Sequence, residues 1–400
     1  MSRTRLIIAL AFHAVLLLSG ISWAALRYHE IQQSRELPEP RLQPLTILPR
    51  YNEPSIVSNE QLQSTLERLT PKFRGLKPRM NFVDHALRFW GIESVFQDAA
   101  CLSGVEMRQL MLDYRDFRQA WGDDAKSFLT TTTYGIRPRV QEGDETSSHV
   151  DHSLTTLAEV GTPLDYPVLT SDGETQLRAM LIDALKNFNL NQQEYEWSTL
   201  AFALYMPSHP EWFSTGGQVL TFDRLAKRVM RQPPTDGVCY GQHRLYTLSA
   251  LLAIDDEHSI LTPDSRANIE AYLQNMTDLL VTHQSSEGYW DVDWDGRTFE
   301  SSRTPLSRRL LVTGHALEWW AIAPEQLLPP LETRERAAQW LCQQIKDMTE
   351  TQIRANYTFL SHAGRALALW RGRFPHEFLV DGQLQVAKLL GPTQASAVAP

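Results

Sequence analysis

The chain has 400 residues, 42% of them hydrophobic and 21% charged, with a formal net charge of -9. That balance suits a folded protein with one large or two small cores and excludes a disordered chain. It also excludes nucleic acid as a partner, because phosphate binding needs clustered Lys and Arg.

Arg3 and Arg5 precede an apolar stretch, residues 6–26, broken only by His13 and small polar residues. About 20 apolar residues cross a bilayer, so the stretch predicts a single-pass transmembrane anchor. Ser22 to Ala24 also has the small-residue character of a signal-peptide cleavage site. On either reading residues 1–5 stay cytoplasmic and the bulk of the chain is exported, periplasmic or extracellular. Prolines at 38, 40, 44, 49 and 54 favour extended backbone, so residues 27–57 read as a spacer. Residues 58–390 read as the folded domain and 391–400 as a flexible tail. Cys101, Cys239 and Cys342 are odd in number and far apart, and give no disulfide framework.

Beyond the spacer, helical periodicity dominates and strand-like alternation is scarce, so the class is all-α. Six segments are amphipathic with one charged face, such as "SNEQLQSTLERL", "GVEMRQLMLDYRDFRQAW", "GETQLRAMLIDALKNF" and "TFDRLAKRVMRQ". Six others are rich in Ala, Leu and aromatics, such as "NFVDHALRFWG", "GVCYGQHRLYTLSALLAI" and "TGHALEWWAIA". The two kinds alternate, which predicts a divergent repeat of helical hairpins. An inner ring of buried helices inside an outer ring of amphipathic ones is an (α/α)6 toroid, or six-hairpin barrel.

Histidines recur near the head of the buried segments: His85, His152, His243, His315 and His362, with Tyr195 and Trp197 in the third. Three residues further on stand Arg88, Thr155, Tyr246, Glu318 and Arg365. One turn apart on a helix, these share a face with the histidines. A cavity lined by His85, Arg88, His152, His243, Tyr246 and Arg365 follows. The plainer alternative makes the histidines solvent-facing, with Asp84, Asp151 and Ser361 as helix caps.

Gly314, His315, Glu318 and Trp319 form a Gly-His-x-x-Glu-Trp run that resembles a motif of the N-acylglucosamine 2-epimerase and cellobiose 2-epimerase family. That resemblance implies a toroid in which histidines on inner helices exchange a proton next to a sugar carbonyl. His315 and His362 would be the acid and base, Glu318 their orienting partner, and Trp290 and Trp319 would be flat surfaces for a sugar. A histidine in the first helical turn would also stay neutral beside the positive helix end. Gln284, Gly288 and Trp290 resemble the Gln-x-x-x-Gly-x-Trp repeat of squalene cyclases, which implies a structural tie between outer helices. The acidic motifs of those cyclases are absent.

Two metal readings accompany these. Asp291, Asp293, Asp295 and Gly296 begin like an EF-hand calcium loop, but Ser302 stands where a glutamate is required. "DGVCYGQHRLY" resembles the Cys-Tyr-Gly segment of lanthionine synthetase-like cyclases, implying zinc on Cys239 with His243 and with His315 or His362. His149 and His152 are a further i, i+3 pair. The functional expectations are thus a membrane-held carbohydrate-active toroid needing no cofactor, a non-catalytic envelope binding or scaffold toroid, or a terpenoid-cyclase-like or zinc-dependent enzyme.

Overall fold

The computed structural model describes residues 3–33, 37–192, 194–208, 211–214, 216–297 and 305–391. The predicted tail beyond Gly391 and the side chains of residues 6–10 in the predicted span lie outside that description. The chain opens with α1 (Arg3–Gln33), followed by α2 (Asn59–Arg68), α3 (Met80–Trp90), α4 (Gly104–Leu112) and α5 (Tyr114–Trp121). Next come α6 (His152–Glu159), α7 (Arg178–Asn187), α8 (Tyr195–Tyr205), α9 (Phe222–Met230) and α10 (Gln242–His258). The last are α11 (Pro263–His283), α12 (Leu306–Trp320), α13 (Leu331–Asp347), α14 (Glu350–Ala355), α15 (Tyr357–Leu369) and α16 (Val386–Leu390). Among the described residues four short antiparallel hairpins interrupt the helices, the longest pairing Pro167–Thr170 with Gly173–Gln176.

The helices sort by burial as the two sequence patterns do. Helix α9 buries Phe222, Leu225, Ala226 and Val229, the i, i+3, i+4, i+7 stripe of a helix with one wet face. In α8 every residue is buried, and in α15 everything from Leu360 to Leu369. The buried helices pack in a closed cycle, α3 on α6, α6 on α8, α8 on α10, α10 on α12, α12 on α15 and α15 back on α3. The amphipathic helices flank it, α4 on α3, α9 on α8, α11 on α10 and α13 on α12.

The tightest junction in that cycle is α12 with α15, and Gly314 permits it. A Cβ there would stand 3.0 Å from the Ala363 backbone nitrogen, closer than carbon and nitrogen pack. Outside the cycle, Gln284 Nε2 at the end of α11 donates to the Thr333 carbonyl of α13 at 2.9 Å, and Arg336 of α13 donates to Gln284 Oε1. The Gln-x-x-x-Gly-x-Trp run therefore links two flanking helices. Trp290 lies at the same place, its indole on the Leu280 carbonyl at 2.6 Å and its backbone N–H on Thr313 Oγ1 at 3.0 Å.

Several local expectations change for identifiable reasons. "GVEMRQLMLDYRDFRQAW" is two helices, because Asp113 turns extended, bridges to Leu169 and caps α5 through the Arg115 N–H. "GETQ" pairs as a strand, so α7 starts at Arg178. Helix α12 begins at Leu306, which puts His315 in its interior rather than its first turn. Asp84 and Ser361 lie inside helices α3 and α15 and cap nothing. Asp151 precedes α6 with left-handed backbone and no capping bond, and its carboxylate takes the Ser198 hydroxyl instead.

Residues 37–53 are largely extended, as their prolines favour, and the chain turns at residues 54–56, yet the segment lies on the domain rather than free of it. Arg41 and Leu45 donate to the carbonyls of Tyr205 and Leu204 at the end of α8. Arg50 donates to the Ala321 carbonyl after α12, and Glu53 to the Trp370 carbonyl after α15. The segment thus satisfies orphan carbonyls at three buried helix ends. Residues 6–26 fall within α1, whose Phe12, Val15, Leu16, Leu17, Leu18, Ile21, Trp23 and Leu26 are all exposed. Among the described residues no helix is long and apolar enough to cross a membrane.

Candidate functional site: a closed aromatic ring over a buried ion layer

Each helix of the cycle contributes one ring to a circuit of aromatic side chains. His85 of α3 stacks on His152 of α6 with centroids 4.4 Å apart, and His152 meets Trp197 of α8 at 4.5 Å. Trp197 meets His243 of α10 at 4.4 Å, His243 meets His315 of α12 at 4.8 Å, and His315 meets His362 of α15 at 3.8 Å. His362 returns to His85 at 5.3 Å. None of the six is more than 2% exposed. His149 joins at the rim, 5.8 Å from His152 and 5.5 Å from His243.

The hydrogen bonds of these rings decide their chemistry. His85 Nδ1 lies 2.8 Å from the Asn81 carbonyl and His315 Nδ1 2.8 Å from the Leu311 carbonyl. A carbonyl only accepts, so each proton sits on Nδ1 and Nε2 keeps its lone pair. His152 Nδ1 lies 2.9 Å from Asp84 Oδ2, and His362 Nδ1 lies 2.8 Å from Glu318 Oε2. Arg88 Nη1 is also 3.3 Å from His362 Nδ1, but the shorter contact is to the carboxylate and calls for the same tautomer. Among the described residues the Nε2 atoms of His152, His315 and His362 have no protein partner, and neither nitrogen of His243 has one.

Burial sets the charge of the ring. It pushes His315 down to about 4, against the opposing pull of Glu318. It drives His85, His243 and His362 well below the ordinary histidine range, helped by His152 beside His85 and by His315 beside the other two. These rings are neutral at pH 7. The cause is desolvation and not a helix terminus, since His315 is interior to α12. Asp84 is ionised: burial opposes this, but His152 and its hydrogen bond hold the carboxyl far below its usual value. Ser153 Oγ donates to the same Asp84 oxygen at 2.7 Å.

One helical turn below, the polar stripe closes into an ion layer. Arg88 donates to Glu159 at 2.5 Å and to Glu318 at 2.6 Å, while Arg365 donates to Glu318 at 2.7 Å and to Glu159 at 3.2 Å. Tyr246 hydroxyl donates to Glu159 at 2.5 Å. Two cations thus balance two anions in a closed square, all of them buried. Both guanidiniums are taken by these carboxylates, so the layer reads as a neutral floor and not as a receptor for an anionic substrate. Thr155, the remaining member of the stripe, ties α6 to the Trp197 carbonyl at 2.6 Å.

Cys239 stands beside the ring in the turn Val238–Gly241. Cys239 and Tyr240 both have left-handed backbone, with φ of 51° each. Among the described residues the thiol, with His243 and His315, is one of two groups of three whose ligand atoms lie within 4.8 Å of one another; the other is His315, Glu318 and His362. Burial pushes the Cys239 thiol up.

The remaining predicted residues lie elsewhere. Trp319 is fully buried beside Trp320, and Trp290 packs on Trp320, so neither joins the ring. Asp291 pairs with Arg309 at 3.1 Å and Asp295 with Arg297 at 2.6 Å, and with Asp293 they form no converging ligand group among the described residues. Sequence reasoning missed Asp84 as a partner of His152 and Glu159 as the second anion of the floor. Glu159 lies seven residues after His152, two turns along the same face, and that spacing is the signal that would have found it. Comparison with protein-family models, with curated proteins and with solved structures gives no match.

Proposed function

We propose that the closed helical cycle is an (α/α)6 toroid and that the chain is an enzyme moving protons on a hydroxylated, sugar-like substrate at the histidine ring. One observation carries this reading. Among the described residues, His152, His315 and His362 each have Nδ1 fixed by an acceptor while Nε2 lacks a protein partner. That is the condition of a histidine kept ready to take a proton. In this reading His362, oriented by Glu318, and His152, oriented by Asp84, are the acid and base. His315 lies between His362 and His243, and Trp197 supplies the apolar face. The ion layer holds Glu318 ionised, so it keeps accepting from His362.

The same proposal makes residues 6–26 an export segment, a membrane anchor or a cleaved signal, with the domain on the exported side. It is supported by the exposure of the apolar side chains Leu16, Leu17, Leu18 and Ile21 within that stretch. Replacing Leu17 and Ile21 by Asp should move the protein from the membrane fraction to the soluble one. Unchanged partition would remove the anchor.

The chemistry is tested by incubating full-length protein with free aldoses and N-acylhexosamines in deuterium oxide and reading deuterium next to the carbonyl by mass spectrometry. We expect incorporation that falls about 10²- to 10⁴-fold in His362→Gln. Incorporation that His362→Gln leaves intact overturns the assignment. Sugar binding without exchange would make the ring a recognition cavity instead.

A further inference from the structure

We infer that Cys239, His243 and His315 form a binding site for a divalent late transition ion, zinc in the first place, on one wall of the ring. Unmet valences on two of the rings point to it. His243 is buried with both ring nitrogens unpartnered, and His315 is buried with Nε2 unpartnered. Buried polar groups without a partner are costly, and water or an ion is the usual remedy. The Cys239 sulfur completes the set, since the three ligand atoms lie within 4.8 Å of one another. A tetrahedral zinc with Zn–S of about 2.3 Å and Zn–N of about 2.0–2.1 Å wants them roughly 3.3–3.7 Å apart, within reach of rotamer adjustment.

Three further features fit a ligand role. His315 Nδ1 rests on the Leu311 carbonyl, the outer contact that orients a metal-bound imidazole. Cys239 and Tyr240 hold consecutive left-handed conformations that are not glycine, a local strain found where a side chain must be aimed. Gly237 and Gly241 flank them with positive φ. Cys239 is only partly buried while both histidines are enclosed.

The alternative grouping, His315 with Glu318 and His362, is disfavoured by its surroundings. Glu318 already accepts from Arg88, Arg365 and His362, and a cation there would face two guanidiniums. A site of one thiolate and two imidazoles suits zinc or cobalt and not magnesium or calcium. Three protein ligands leave a fourth position for water or a substrate oxygen, which the ion would polarise beside His362. The inference rests on the ligand geometry alone, so failure of the proton-transfer reading leaves it standing, and its own failure leaves that reading intact.

The test is a titration of chelator-treated full-length protein with cobalt(II), followed by absorption. We expect one ion per chain, visible bands of tetrahedral cobalt and a near-ultraviolet band of thiolate ligation. Zinc should displace it. Cys239→Ser should abolish the thiolate band and weaken binding about a hundredfold or more, and His243→Gln should weaken it comparably. His362→Gln should leave the thiolate band in place, and circular dichroism would show that each variant is folded. No binding by the folded wild type, a thiolate band that survives in Cys239→Ser, or loss of the ion in His362→Gln but not in His243→Gln would overturn the assignment.

Discussion

The two sides of the histidine ring differ in what stands behind each imidazole. On one side His152 and His362 lean on the carboxylates of Asp84 and Glu318. On the other, His315 leans on a backbone carbonyl, His243 on nothing, and a thiol completes the group. A carboxylate stabilises the imidazolium as it forms and so favours proton transfer. A carbonyl fixes the tautomer without adding charge, which favours a lone pair held for a ligand. The same residue type at equivalent places on related helices is thus set to different tasks by its neighbours.

The comparison breaks most sharply through Asp84→Asn. The amide can donate to His152 Nδ1 and favours the wrong tautomer, so deuterium exchange into a sugar should fall about 10²- to 10⁴-fold. Cobalt binding should be unchanged. Equal losses of both would mean that the two sides act as one unit.

Next in size is the floor that both sides share. Arg88→Leu removes one corner of the ion square and leaves buried carboxylate charge uncompensated, costing about 3–5 kcal/mol in urea denaturation. A loss below about 1 kcal/mol would show that water reaches the layer.

A smaller effect comes from the loop that leads into His152. Burial pushes the Asp151 carboxyl up to about 6, the Ser198 hydroxyl opposing it. A raised folded-state value means that this group's contribution is fully present below its ordinary range near 3.8 and is lost as pH rises through about 6. Between about pH 4 and 6 the wild type should therefore lose up to about 3 kcal/mol that Asp151→Asn keeps. Parallel stability curves for the two proteins would contradict the buried placement.

The smallest effect should come from the acidic loop away from the ring. Asp291→Asn breaks a partly exposed pair with Arg309 and should change stability by less than about 1 kcal/mol. A melting temperature that rises with added calcium and ceases to do so in this variant would restore the calcium reading.

Much of the architecture was legible because helical burial is periodic. The alternation of wet and buried segments marked which helices face one another, and the histidine spacing marked one wall of the ring. What stayed hidden depends on contacts between distant segments. Asp84 sits next to His85 in sequence but serves His152, across a helix boundary. Glu159 joins Arg88 and Arg365 only once the cycle closes. Proline density forecast the largely extended form of residues 37–53 but not their bonds to the ends of α8, α12 and α15. The tryptophans misled for a related reason, since Trp290 and Trp319 are apolar enough to suit a sugar and are spent on helix packing.

The most direct measurement is the tautomer of the ring histidines in metal-free protein at pH 7, read from imidazole nitrogen shifts with histidine-selective labelling. The expected result is neutral rings protonated on Nδ1 for His85, His315 and His362, leaving Nε2 as acceptor. Signals of imidazolium, or of rings protonated on Nε2, would contradict it, since neither form leaves an Nε2 lone pair for a proton or a metal.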